Sequence, residues 1–304
     1  MSNFSFQVAI CTYARAETLK KATLATLERA GVDNEQVTVF VPSEAQKNDY
    51  EGVLGKGNYR IVVTSPGQFR CRQMAHRYYV KQGLEGERLI QIDDDIWGFW
   101  ELVDRPDTKA GKHAIRYTGT LENIARQGYG VAESLGTKLW GVSFAQNGFY
   151  MSNHASVGNM LVCGGFQGVY AGDDIFIGAR RTYEESAEED SETSCQAVIK
   201  YGKVARLQYF SLELRDISPG GIRSEVVDAG YVRTEQEAVI AREMTNVAAR
   251  EIIAQRYPGL VEVVWMDKKN GFLGNGKQQA LKYVRRGNTS IPRGVIEREF
   301  LKQG

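Results

Sequence analysis

Leu89-Ile90-Gln91-Ile92-Asp93-Asp94-Asp95-Ile96-Trp97 decides how this chain is read. An apolar segment that leaves the core and ends in three adjacent carboxylates puts hard oxygen ligands at the carboxyl edge of a sheet. Open α/β sheets bind their ligands at that edge. Like charges this close repel one another, so the cluster needs a cation or a network of donors against it. Oxygen-only ligation suits Mg²⁺ or Mn²⁺, and such ions share their shell with a substrate phosphate. The cluster therefore reads as the metal and nucleotide site of an enzyme with a phosphorylated donor. The competing reading is a solvated acidic turn.

Upstream, the pattern alternates between strand and helix. Phe6 to Cys11 reads as a first strand, and a polar loop, Thr12-Tyr13-Ala14-Arg15, leads into a helix from about Ala16 to Ala30. That helix places Leu19, Ala22, Thr23, Leu27 and Ala30 on one face and stops at Gly31. Val37 to Val41 and Tyr59 to Val63 read as strands, and Pro66-Gly67 opens a helix from about Gln68 to Lys81. Leu89 to Ile92 then delivers Asp93. Such alternation with short loops predicts a parallel α/β core with right-handed crossovers. Downstream the pattern loosens: a helix over 120–135 interrupted by Gly128 and Gly130, a strand over 139–144, and sheet and loop over 149–172. A helix around 192–201 ends at Gly202, and 204–214 reads as extended. Ser218-Pro219-Gly220-Gly221 marks a turn, and Thr234-Glu235-Gln236-Glu237 is a capping box opening a helix to about Arg256. A short strand over 260–265 follows.

With 304 residues, 42% apolar and 25% charged, the chain fits one large domain or a main domain with an appended piece. No apolar run reaches membrane-span length, and the N-terminus lacks the features of a secretion signal. Cys11, Cys71, Cys163 and Cys195 are scattered, which predicts reduced thiols in a cytoplasmic protein and no zinc site. Three histidines argue against a His-rich metal centre. The net charge is +1, but unevenly placed. Glu184 to Glu192 holds six acids and no base, while Trp265 to Gly304 holds nine Lys/Arg against three acids. A basic C-terminal segment is compatible with a polyanion partner. No obligate protein partner is evident.

With Cys11-Thr12-Tyr13-Ala14-Arg15 after strand one and Ile92-Asp93-Asp94-Asp95 after strand four, the chain resembles GT-A fold nucleotide-sugar glycosyltransferases. Arg70-Cys71-Arg72-Gln73-Met74-Ala75 resembles the Arg-Asn helix of inverting members. Glu188-Glu189-Asp190-Ser191-Glu192, followed by a helix and Tyr201-Gly202-Lys203-Val204, resembles their Glu-Asp base motif. The likeness spans roughly residues 6 to 215. It implies an α/β, Rossmann-like, mixed but mainly parallel sheet flanked by helices, with a helical basic C-terminal extension. The catalytic unit would be 1–215, with a nucleotide-sugar half to about residue 100 and an acceptor half beyond it, and 216–304 packed against it. Within the class the chain looks most like the DNA-base glycosyltransferases associated with TET/JBP dioxygenases, including the base J glucosyltransferase and its phage relatives. That implies a UDP-sugar donor and a hydroxymethylpyrimidine such as 5-hydroxymethylcytosine in DNA as acceptor.

Residue by residue, the resemblance implies Asp95 as metal ligand for Mn²⁺ or Mg²⁺, Asp93 at the ribose or the ion, and Asp94 at either. Asp190 would be the general base, with Glu189 its close competitor; either needs only hydrogen-bond reach to an acceptor hydroxyl. Arg15 and Arg72 suit the donor phosphates because guanidinium forks match phosphate oxygens, and Thr12 and Tyr13 fit a uracil-contacting loop. Arg223 would reach the diphosphate from a closing loop. Trp97, Gly165, Lys268 and Lys269 are expected to face the acceptor, where basic side chains interleaved with aromatics suit a phosphate backbone and an exposed base. Asp173-Asp174 is a decoy, and His154, the one candidate for an extra metal ligand, lies before the Glu-Asp motif. Other GT-A acceptors, a nucleotidyltransferase and an inactive DNA-binding module remain as rivals.

Overall fold

The computed structural model describes residues 4–105, 111–177, 187–215, 235–267, 277–285 and 287–301. Its centre is an 11-stranded mixed sheet in the order Thr289–Pro292 (β13), His154–Gly158 (β8), Val204–Leu214 (β10), Trp140–Ser143 (β7), Phe166–Tyr170 (β9), Arg88–Ile92 (β4), Gln7–Cys11 (β1), Val37–Val41 (β2) and Arg60–Val63 (β3); Ile96–Asp104 (β5) branches from β10 and carries Lys112–Arg116 (β6). Four adjacent strands, β1 (Gln7–Cys11), β2 (Val37–Val41), β3 (Arg60–Val63) and β4 (Arg88–Ile92), run parallel. β9 (Phe166–Tyr170) is antiparallel to both β4 and β7 (Trp140–Ser143), so β7 runs with β4. β10 (Val204–Leu214) continues in that direction. The carboxyl ends of β1, β4 and β7 therefore share one edge of the sheet.

Helices cover the parallel strands. The first, α1, opens as Ala16–Leu19, passes through a π-helical stretch at Lys20–Leu24 and closes as Ala25–Arg29. Its expected apolar face, Leu19, Ala22, Thr23, Leu27 and Ala30, is buried throughout. Burying a leucine of this kind contributes about 1.5–3 kcal/mol. Helix α2 (Glu44–Leu54) has Ser43 as its N-cap, whose hydroxyl accepts from the Gln46 amide at 3.2 Å. Helix α3 (Gln68–Lys81) follows β3. On the other half, α4 (Leu121–Leu135) is unbroken, and its glycines are required by close approach. A side chain at Gly128 would overlap the Trp140 ring, and one at Gly130 would overlap the Phe300 ring.

The second half holds what the sequence left open. The chain reverses after Asp95 into β5 (Ile96–Asp104), which pairs antiparallel with β10 and with β6 (Lys112–Arg116). β8 (His154–Gly158) lies beyond β10. A short helix, α5 (Asp174–Ile177), precedes α6 (Glu189–Tyr201), which ends at left-handed Gly202. The C-terminal part contains the expected long helix, α7 (Glu235–Arg256), and also strands. β11 (Val261–Asp267) and β12 (Lys277–Tyr283) form a separate antiparallel pair, so the basic residues of 277–283 lie on a strand. β13 (Thr289–Pro292) joins the main sheet beside β8, and α8 (Arg293–Phe300) packs on α4. Among the described residues, no helix is long and apolar enough to cross a membrane. All four cysteines are free thiols.

Candidate active site

Asp94 and Asp95 form the turn that joins β4 to β5, and α1 pins this turn from beneath. Thr23, on the π-helical stretch, donates to the Asp93 carbonyl (2.7 Å) and accepts from the Ile96 amide (2.9 Å). Thr26 donates to the Ile96 carbonyl at 3.1 Å. π-Helical turns concentrate at functional sites, and here the widened turn sets a buried hydroxyl against both sides of the acidic turn.

Each carboxylate meets a cation. Arg15 Nη1 reaches Asp94 Oδ1 (3.2 Å) and Asp95 Oδ2 (3.1 Å). Thr12 donates to Asp94 Oδ2 at 2.5 Å and shares a 2.7 Å hydrogen bond with Tyr50 Oη, which also accepts from the Arg15 amide at 2.9 Å. The Thr12–Arg15 loop includes Ala14 at φ 51°, a left-handed conformation costly for a residue with a Cβ, held by a bond from its amide to Gln46 Oε1 (3.0 Å). Tyr50 and Gln46, both on α2, thus organise the loop. Sequence reading missed them because α2 itself was not recognised; Ser43 before Glu44 was the available signal.

Arg72 is the second cation. It is buried, with Nη2 on Asp93 Oδ1 (2.8 Å) and on the Gly164 carbonyl (2.7 Å), and Nη1 on Glu189 Oε1. Gln68 also donates to Asp93 Oδ1, at 3.2 Å. Burial alone would lower the guanidinium's pKa, but Glu189 and Asp93 overcome this and raise it. Arg72, expected from the sequence at the donor phosphates, has both terminal nitrogens bonded within the protein here. Glu189, the competitor for the base in the sequence reading, is the other partner of this guanidinium. It is buried against Arg72, whereas Asp190, partly exposed, takes only the backbone amides of Ser191 (2.8 Å) and Gly164 (3.2 Å) among the described residues. The adjacent acids thus have different surroundings: Glu189 is in a buried ion pair, and Asp190 is partly exposed.

Even with these cations the acidic turn is short of positive charge. Burial pushes the Asp94 carboxyl up to about 7, against the pull of Arg15, and pushes Asp93 up to about 6, against that of Arg72. Unfolded aspartates titrate near about 4. Between about pH 4 and pH 7 the folded chain holds these protons more tightly than the unfolded one, so stability falls as pH rises through that window. Asp94→Asn keeps the shape and removes the charge. It is expected to raise the thermal midpoint at pH 8 and leave it unchanged at pH 4, since every tenfold difference in proton affinity between folded and unfolded chain is worth about 1.4 kcal/mol. Calorimetry at the two pH values checks this; an equal rise at both would contradict it.

The same carboxylates decide whether a divalent ion fits. The bonds named above use Asp93 Oδ1 and Asp95 Oδ2. Asp93 Oδ2 and Asp95 Oδ1 take no hydrogen bond among the described residues, and both side chains are partly exposed. No group of three or more His, Cys, Asp or Glu side chains among the described residues forms a metal cage. Two free carboxylate oxygens fit Mg²⁺ or Mn²⁺ sharing its shell with phosphates, for which one or two protein carboxylates suffice.

Of the other expected residues, Gly165 lies against the acidic turn: its carbonyl accepts from the Asp93 amide (3.1 Å), and an added Cβ would stand 3.6 Å from Asp93 Oδ2. Trp97 opens β5, with the Arg215 guanidinium 4.4 Å over its ring. Thr12 is buried and its hydroxyl donates to Asp94 in the turn; Tyr13 is partly exposed. Arg223, Lys268 and Lys269 lie outside the described residues. Asp173 is structural: buried, it accepts from Tyr201 (2.5 Å) and Lys200 (3.3 Å). His154 is four strands from β4, roughly 19 Å at about 4.8 Å per strand, too far to share an ion with Asp95.

Strand register adds a feature the sequence did not announce. Gly141 pairs with Gln167, and Gln167 with Gln91, so the end of β7 comes level with Asp93 two strands away. The loop leaving β7 carries exposed Phe144, Phe149 and Tyr150, with the Arg206 guanidinium 5.7 Å from the Phe144 ring. Gln146 in this loop donates to the Leu214 carbonyl at the end of β10, opposite Ile96.

No protein-family model and no curated protein matches the chain. Solved structures align with it. S. aureus TarS 1–349 in complex with UDP does so with a TM-score of 0.46 and 12% identity, over 83% of this chain and 70% of that one. Glucosyl-3-phosphoglycerate synthase from Mycobacterium tuberculosis, in complex with Mn²⁺, UDP and phosphoglyceric acid, gives 0.45 and 10%, over 97% and 92%. A mycobacterial protein gives 0.46 and 8%, over 97% and 89%.

Proposed function

We propose that this chain is a GT-A nucleotide-sugar glycosyltransferase that moves a sugar from a UDP-sugar to a hydroxyl acceptor with inversion. One observation carries the reading: a single buried guanidinium, Arg72, holds Asp93 of the acidic turn and Glu189 of the α6 start, and so fixes Asp190 beside the donor edge. Asp93 and Asp95 would hold Mn²⁺ or Mg²⁺. When bound, that ion supplies Lewis-acid neutralisation of the charge growing on the leaving diphosphate. Arg15, partly exposed beside Asp95, is placed to turn from carboxylate to phosphate oxygen as the donor arrives. As the bond from the anomeric carbon to the diphosphate breaks, the acceptor oxygen bonds to the opposite face and its proton passes to Asp190. One base suffices for inversion, and no covalent intermediate is needed.

For the acceptor, the reading follows the sequence resemblance to hydroxymethylpyrimidine transferases, with 5-hydroxymethylcytosine in DNA first. The loop aromatics Phe144, Phe149 and Tyr150 support a planar acceptor group, since bases stack on such rings. A base within a duplex would have to leave the stack to reach the donor. Saccharide and protein acceptors are the rivals.

The donor half is tested by calorimetric titration of UDP with and without Mn²⁺. Wild type is expected to bind UDP more tightly with the ion. Asp95→Asn is expected to lose that gain, a tenfold loss or more, while its circular dichroism stays unchanged. An undiminished Mn²⁺ effect in the variant would overturn the ligand assignment.

A further inference from the structure

Glu188, Glu189, Asp190 and Glu192 crowd the first turn of α6. A helix start favours acids by only about 0.3–1 kcal/mol each, too little for a group in which Glu189 and Glu192 are buried. Each neighbour of Asp190 has a guanidinium of its own. Glu189 has Arg72. Glu188 has Arg250, with Nε at 2.7 Å and Nη2 at 2.6 Å. Glu192 has Arg256 Nη1 at 2.5 Å and Tyr257 Oη at 3.0 Å. Asp190 has backbone amides alone among the described residues.

We propose that Arg250, on the C-terminal helix α7, is a positioning residue for Asp190, acting through Glu188. The proposal rests on the reading of Asp190 as the base. Arg250 is nearly buried and is itself fixed: Nη1 donates to the Gln279 carbonyl of β12 (2.8 Å) and lies 3.6 Å from Glu243. Tyr283, also on β12, donates to the Ser191 carbonyl (3.4 Å). Helix α7 and β12 thus brace the turn that carries Asp190. Without Arg250, Glu188 keeps the Ser191 hydroxyl (3.2 Å) but stands two residues from Asp190 as a half-buried anion without that counter-ion. Its repulsion displaces the one carboxylate that must stay within reach of the acceptor hydroxyl. A displacement of about 1 Å can cost about a hundredfold in rate.

The test uses the full chain with kcat and donor KM measured separately. Arg250→Gln is expected to lower kcat by about ten- to a hundredfold, with donor KM and UDP affinity within about twofold of wild type. Adding Glu188→Gln removes the orphaned charge and is expected to recover most of kcat, which a merely structural role would not produce. Wild-type kcat in Arg250→Gln, or a loss that Glu188→Gln does not recover, overturns the proposal. Should Arg250→Gln not fold, the doubly neutral variant carries the test alone: folded and active supports the brace, folded and inactive overturns it. Asp190→Asn assayed alongside separates the two readings. If it still transfers sugar, the base assignment falls and the proposal with it; if it is dead while Arg250→Gln is unimpaired, only the brace falls.

Discussion

Replacing Asp190 by Asn is expected to abolish sugar transfer, with kcat falling by about 10²–10⁴-fold, while UDP affinity and the fold stay as in wild type. Asn keeps one Oδ acceptor for one of the two amides of Gly164 and Ser191, gives up the other amide bond, and cannot take a proton. The loss should therefore sit in kcat and leave donor KM alone. Glu189→Gln is the contrasting variant. It removes the charge from Arg72's buried partner, so its effect should appear first as lost stability. Steady-state kinetics and urea denaturation of both variants separate these roles. Transfer retained in Asp190→Asn and lost in Glu189→Gln would reverse the assignment.

The largest stability effect is expected from Arg72→Met, at about 3–5 kcal/mol in a urea unfolding experiment. Methionine fills a similar volume, but it takes the guanidinium away from buried Glu189 and from partly exposed Asp93, and removes the donor to the Gly164 carbonyl. Pairing it with Glu189→Gln should recover part of the loss, because one of the two uncompensated charges is gone. A loss below about 1 kcal/mol in the single variant would mean that Arg72 is not the counter-ion that holds the two carboxylates together.

The elements with strong local signals were the ones legible in the sequence. Val37–Val41 and Gln68–Lys81 are observed with their expected bounds, the first from an unbroken run of strand formers, the second from Pro66-Gly67 ahead of it and Gly83 behind. The acidic triplet was readable as a sheet-edge turn because charge cannot follow Ile92 into the core. What escaped depends on partners distant in sequence. Helix α2 matters through Tyr50, whose contacts with Thr12 and Arg15 lie 38 and 35 residues away. The return of the chain into β5 is set by pairing with β10, over a hundred residues later. Glu189 and Asp190 could not be told apart by composition. They differ by about 100° of helix rotation, which sets Glu189 against Arg72 and Asp190 against the Gly164 amide.

Thr12 and Arg72 illustrate the same point from the other direction. Both residue types suit a nucleotide, and both stand beside the acidic turn, yet each spends its polar atoms on the protein. Around the acidic turn, Thr12, Thr23, Tyr50 and Arg72 are buried, and Arg15, Asp93, Asp95 and Asp190 are partly exposed. Sequence motifs name Thr12, Arg15, Arg72, Asp93, Asp95 and Asp190 without separating them; the parts played by Thr23 and Tyr50 come into view only through their bonds in the fold.

The most direct test of the central claim is UDP release from a panel of UDP-sugars with Mn²⁺, with and without DNA containing 5-hydroxymethylcytosine, followed by mass spectrometry of the nucleosides. The expected result is UDP release that depends on a hydroxyl acceptor, is lost in Asp190→Asn, and with this DNA adds one sugar mass to the modified base. Release that depends on other acceptors would keep the transferase and discard the DNA substrate. Release of pyrophosphate from a nucleoside triphosphate, with every UDP-sugar left intact, would contradict the central claim.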